Sequence, residues 1–72
     1  MNALSKEIGE RIKSERKSCG LTQKQVAKKM FMTQQQYSRF ENGIYELNYE
    51  QLLFISNLFD VSIDDLFGLK RY

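Results

Sequence analysis

The sequence predicts a small all-α domain of five helices, on three observations. Its 72 residues include no proline and only four glycines, so little in the chain interrupts a helix. Apolar residues recur mainly three and four positions apart, the period of one helical face. A helix-start signal also appears four times: Leu21-Thr22 with Gln25-Val26, Met32-Thr33 with Gln36-Tyr37, Leu47-Asn48 with Gln51-Leu52, and Val61-Ser62 with Asp65-Leu66. In each, a Thr, Asn or Ser oxygen can cap an orphan N–H of the first turn. The polar residue three positions on can reach back to the cap, and the flanking apolar pair staples the turn. Asp65 is the shorter and weaker substitute among the four.

The elements follow in order. Leu4, Ile8 and Ile12 line one face of a first helix that stops near Cys19, where Gly20 can take a left-handed closing conformation. The second helix runs from about Gln23 to Met30, because the next start signal follows at once. The third closes at Asn42-Gly43, the fourth near Asp60, and the fifth is a single turn ending near Gly68. Two short helices joined by a turn of a few residues must cross steeply, so the second and third form a helix-turn-helix. The core by subtraction is Val26, Ala27, Met30, Tyr37, Phe40, Leu52, Ile55, Phe59, Val61, Ile63 and Leu66. No linker or low-complexity stretch divides the chain, so one domain is expected over residues 1–72, with its core at about 5–68.

Composition excludes several functions. Without histidine, and with Cys19 as the single cysteine, the chain can form neither an internal disulfide nor a Cys/His zinc site. No Gly-rich phosphate loop is present and Cys19 has no evident base, so no catalytic residue, metal or cofactor is expected. The longest apolar run, Leu52 to Ile55, is too short to cross a bilayer. A soluble cytoplasmic domain with no membrane partner is the expectation. The net charge of +2 conceals a polarity. Residues 1–39 carry nine basic and three acidic side chains, whereas residues 40–72 carry two basic and six acidic ones. Such a chain can turn a basic face to a polyanion; ordinary solvated helix faces would look the same by charge alone.

With Tyr37 and Phe40 turned inward, Gln34, Gln35, Ser38 and Arg39 must lie outward on the third helix, while Gln36 is partly spent on its own cap. A glutamine amide matches adenine N6 and N7, and the arginine fork matches guanine O6 and N7. The alternative is a polar surface helix with no ligand.

Residues 21–43, L-T-Q-K-Q-V-A-K-K-M-F-M-T-Q-Q-Q-Y-S-R-F-E-N-G, resemble the Cro/CI-type (XRE, lambda-repressor-like) helix-turn-helix of phage repressors and bacterial regulators. The stretch from Leu52 to Leu66 resembles the fourth helix and closing turn of that family. The resemblance implies DNA base readout by Gln34, Gln35 and Arg39 with Ser38 beside them. It implies phosphate contacts from Gln23, which would also brace Gln34, and from Asn42, Gly43 and the backbone at Ile44-Tyr45; Lys24 joins them as a candidate. It also implies a structural ion pair between Arg16 and Glu41. The chain departs from the family pattern at Phe31 and Asp60, which stand where glycine is usual, and at Asn48, which replaces a common proline. Phe31 in a left-handed turn would be strained by roughly 1–2 kcal/mol, so either the turn differs or Phe31 packs against something.

The implied function is sequence-specific binding of double-stranded DNA by a transcriptional regulator, repressor-like and dimeric on a pseudo-palindromic operator, with the third helix in the major groove. Phe54, Leu58, Phe67, Leu69 and Tyr72 are the candidate homodimer surface; the alternative is that they finish the rim of the core. A rival reading from another class is a protein-interaction module of the same fold, such as an antitoxin whose main partner is a toxin or antagonist protein.

Overall fold

The four start signals all begin helices. A computed structural model of the protein describes residues 3–68, and its elements are α1 (Ala3–Ser18), α2 (Gln23–Lys29), α3 (Gln34–Glu41), α4 (Tyr49–Phe59) and α5 (Ile63–Phe67). Three starts are complete capping boxes. Thr22 Oγ1 accepts from the Gln25 N–H at 3.1 Å while Gln25 Oε1 accepts from the Thr22 N–H at 2.8 Å. Thr33 with Gln36 and Asn48 with Gln51 repeat the exchange. At α5 only the forward half forms: Ser62 Oγ accepts from the Asp65 N–H at 3.0 Å. The aspartate is one methylene shorter than glutamate or glutamine, which accounts for the missing return bond.

The first four helices share one way of stopping. After α1, the Leu21 N–H donates to Arg16 O and the Gly20 N–H to Lys17 O, with Gly20 at φ 72°. After α2, the same pair of bonds runs from Met32 to Ala27 and from Phe31 to Lys28. Gly43 closes α3 and Asp60 closes α4 in the same manner. This double closure requires a left-handed residue at its pivot. Two pivots are therefore not glycine: Phe31 at φ 58° and Asp60 at φ 55°. Asp60 tolerates that region. Phe31 does not, and its side chain is 96% exposed, so the turn keeps the family geometry and Phe31 packs against nothing within the domain.

The helices surround a core of Ile12, Val26, Ala27, Tyr37, Phe40, Ile55, Phe59 and Leu66. Met30, Val61 and Ile63, expected in the core, are half-buried against it, and Leu52 is half-buried as well. On α1 the inward face is carried by Ile12 and, in part, by Ile8; Leu4 is half exposed, at the rim of an apolar pocket that it lines with Phe40, Leu52 and Phe67. α1 packs against α3, α4 and α5, and α2 against α3, so α1 is the spine on which the helix-turn-helix is mounted. Ser56 Oγ donates to Val61 O, which ties the end of α4 to the entry of α5.

Candidate nucleic-acid interface

The orientation of α3 is set by its buried side. Tyr37 and Phe40 are three residues apart and both buried, so they lie on one face and turn the opposite face outward. Gln34, Gln35 and Arg39 are exposed there, Ser38 is half-buried, and these four line a shallow polar depression together with Gln23 of α2. Gln36 is separated from them by its hydrogen bonds, since its amide oxygen accepts from the Thr33 N–H at 3.0 Å and its own N–H donates to Thr33 Oγ1. The outward face of α3 carries no carboxylate: Glu41, the single acid of the helix, is 3% exposed. Lys24, Lys28 and Lys29 of α2 are exposed alongside.

Glu41 is held inside by three donors. Arg16 Nε donates to Glu41 Oε2 at 2.7 Å and Arg16 Nη2 to Oε1 at 3.3 Å, while Gln23 Nε2 donates to Oε1 at 3.0 Å. The remaining Arg16 nitrogen, Nη1, donates to Leu21 O at 2.8 Å, so the guanidinium also pins the α1–α2 turn. Burial by itself would raise the Glu41 carboxyl. The hydrogen bonds from Arg16 and Gln23 and the charge of Arg16 outweigh it, leaving the group below its ordinary value. The same hydrogen bond to Glu41 raises Arg16 above its ordinary value. Tyr37 Oη is buried beside this carboxylate without a well-formed hydrogen bond, and burial followed by the nearby negative charge pushes the phenol far up.

The expected Arg16–Glu41 pair is thus present, and Gln23 is committed to it. The expectation that Gln23 braces Gln34 is corrected: its amide donates to Glu41, although the residue still borders the depression that Gln34 lines. Asn42 closes α3 and its Nδ2 donates to Ser38 Oγ at 3.3 Å, so these two candidates are joined.

Three features escaped the sequence reading. Gly9, in the middle of α1, abuts the end of α3, where a Cβ would stand 2.4 Å from Glu41 O. Gly43 is buried against α1, where a Cβ would lie 2.6 Å from Lys6 Cα. Gly43 therefore has a packing role besides any contact with a phosphate. Tyr45 carries Arg39 on its ring, with the guanidinium carbon 5.4 Å from the ring centre. The glycine inside an amphipathic helix was the one local sign of close packing; the other two contacts carry no sequence signature.

Of the candidate dimer residues, Phe54 is 39% exposed. Leu58 and Phe67 pack against the core, as the rim alternative has it, and Leu69 and Tyr72 lie outside the described residues. Among the described residues no group of three or more acidic or cysteine side chains is placed to hold a metal, and no helix is long and apolar enough to cross a membrane.

This geometry matches known proteins. The family model HTH_3, described as helix-turn-helix, matches residues 12–66. The chain belongs to the Cro/CI-type helix-turn-helix family. It is similar to two Bacillus subtilis (strain 168) proteins. One is the uncharacterized HTH-type transcriptional regulator YqaE, 42% identical over 59 residues, covering 82% of this chain and 51% of YqaE. The other is the HTH-type transcriptional regulator ImmR, 36% identical over 61 residues, covering 85% of this chain and 48% of ImmR. The chain spans about half the length of these relatives. Its fold resembles that of the S. venezulae BldD DNA-binding domain, with a TM-score of 0.78 and 18% identity over 92% of this chain and 99% of that one. The helix-turn-helix domain here has the five-helix architecture expected from its sequence.

Proposed function

We propose that this helix-turn-helix domain binds double-stranded DNA sequence-specifically as part of a transcriptional regulator, repressor-like, placing α3 in the major groove. One observation carries the reading: the outward face of α3 holds two amides and a guanidinium, while its single carboxylate is buried and neutralised by Arg16. Gln34 and Gln35 offer paired donors and acceptors suited to adenine, and Arg39 a fork suited to guanine. Gln23, Lys24 and Asn42 flank that face and supply contacts to phosphates, which position without reading sequence, whereas the Gly43 and Tyr45 N–H groups donate within the turn to Phe40 O and Arg39 O. The names of the relatives, which are transcriptional regulators, and of the BldD domain, which is DNA-binding, point the same way.

One domain of this size meets few base pairs, so a useful specificity ratio calls for two. The domain acts as a homodimer on a pseudo-palindrome whose half-sites lie about 34 Å apart, one turn of the duplex. Phe54 is the exposed apolar side chain offered to that contact, and sedimentation at micromolar concentration tests it: a dimer is expected, and a monomer would remove this element.

A second reading is favoured by Phe31 and Tyr49, whose side chains stand 96% and 87% exposed. Large apolar side chains left open to solvent are available to a protein partner where they join in one patch, and an antitoxin-like module would bind its protein partner there. The deciding experiment is selection of bound duplexes from a random pool, followed by titration at increasing salt. DNA recognition gives an enriched sequence and an affinity that falls steeply with salt. No enrichment, with weak binding indifferent to salt, would favour the protein-binding reading.

A further inference from the structure

Arg39 is exposed at the edge of the α3 face, and a free arginine there would sample many rotamers. It does not stand free. Its guanidinium lies over the Tyr45 ring at 5.4 Å from the centre, and Nη1 donates to Tyr45 Oη at 3.4 Å. Tyr45 is itself fixed from two sides. Its ring meets Phe40 edge-on at 6.4 Å and 65°, and its backbone N–H donates to Arg39 O at 3.3 Å, within the turn that Gly43 closes. Core, turn, ring and guanidinium therefore form one chain of contacts: buried Phe40 holds Tyr45, and Tyr45 holds Arg39.

We infer that the Tyr45 side chain is the positioning residue for Arg39, and that it sets the specificity of the base pair Arg39 reads. This deepens the proposed DNA reading and rests on it. Two physical effects support the role. Ordering a long side chain before binding removes part of the entropy that readout would otherwise cost. A guanidinium held to the ring as a cation and through Nη1 alone leaves its Nε and Nη2 donors outside that contact. That edge is the part that must present two parallel donors to guanine O6 and N7. A lysine at the same place would be a point charge with no plane to be set, so the arrangement suits arginine in particular.

The test is duplex selection from a random pool with the wild type, Arg39→Ala, Tyr45→Phe, Tyr45→Leu and the double variant Arg39→Ala/Tyr45→Leu. Leucine retains apolar packing against Phe40 and removes the aromatic face; phenylalanine retains the face and removes the hydroxyl. Tyr45→Leu is expected to flatten the preference at the same base pairs as Arg39→Ala and to weaken the preferred site about two- to fivefold. Preference elsewhere in the site should stay as in the wild type. Tyr45→Phe should keep the wild-type preference, and the double variant should bind no more weakly than Arg39→Ala alone. Helical content and melting temperature measured on each variant separate readout from folding, and should Tyr45→Leu melt early, the selection is repeated below its melting temperature and with Tyr45→Met, which also packs on Phe40 and lacks the aromatic face.

Three results would overturn the inference alone: Tyr45→Leu selecting the wild-type sequence, Tyr45→Leu weakening all duplexes equally, or losses that add in the double variant. If the wild type enriches no sequence, or if Arg39→Ala keeps the wild-type preference, the DNA reading of α3 fails and the inference falls with it.

Discussion

Gly9 of α1 and Glu41 of α3 meet without room for a side chain between them. A Cβ on Gly9 would stand 2.4 Å from Glu41 O and 2.6 Å from Phe40 O, both of them backbone atoms. The approach seats the C-terminal end of α3 against the spine helix. It also brings the Glu41 carboxylate, on the same residue, within reach of Arg16 two turns further along α1. The angle at which α3 offers its outward face therefore depends on a hydrogen atom at position 9.

Gly9→Ala is expected to destabilise the domain by about 1–3 kcal/mol, the usual cost of overpacking. In an exposed helix the same change stabilises by about 0.8–1 kcal/mol, so the sign decides. Denaturant unfolding measures it, and a gain in stability would mean the two helices have slack between them.

Removing the Glu41 charge strands Arg16, whose residue is 7% exposed. Glu41→Ala should cost on the order of 3–5 kcal/mol, enough to unfold much of the population of a domain this small. The pH dependence has a definite sign. The folded carboxyl lies below its ordinary value of 4.5, so the contribution of the pair is whole above that pH and is lost as the pH falls through the folded value. Thermal melts of the wild type should thus decline below about pH 4.5, and Glu41→Gln should flatten this part of the decline.

Phe31 pays a backbone strain at φ 58° and gets no packing in return. Phe31→Gly should relieve roughly 1–2 kcal/mol of left-handed strain. Part of that is given back through glycine's extra chain entropy, leaving a net gain of about 0.5–1 kcal/mol. Calorimetry should show a melting temperature a few degrees higher, about 2–8 °C. A lower one would mean that the phenyl ring contributes a contact in the folded state.

Phosphate and base contacts separate by their response to salt. Lys24→Gln should reduce the slope of log affinity against log salt by about one and weaken all duplexes alike. Gln35→Ala should leave that slope unchanged and alter the preferred sequence instead. If Lys24→Gln leaves the slope intact, α2 does not lie along the phosphate backbone.

Local chemistry was legible. Each start signal is complete within six residues, so Thr22, Thr33, Asn48 and Ser62 could be placed as caps with no knowledge of what packs where. The pairing of Arg16 with Glu41 was legible for another reason, since residues 21–43 match a family in which that pair recurs. Gln23 was read half correctly. Its place at the start of α2 follows from the cap at Thr22, but its partner depended on how deeply Glu41 is buried. Phe31 was legible as a departure and not in its outcome, because whether a large side chain finds a pocket depends on surfaces far away in sequence.

What the sequence determined by itself is the set of helices, their ends, and which face of α3 remains outside, because caps, left-handed closures and helical periodicity act within a turn or two of the chain. What only the tertiary structure decided is how that face is held. Gly9 under Glu41, Gly43 on Lys6, Gln23 turned to the buried carboxylate and Arg39 laid on Tyr45 are contacts between elements or across a turn. They arise from the distances at which packed helices come to rest, and no residue pattern along the chain encodes those distances.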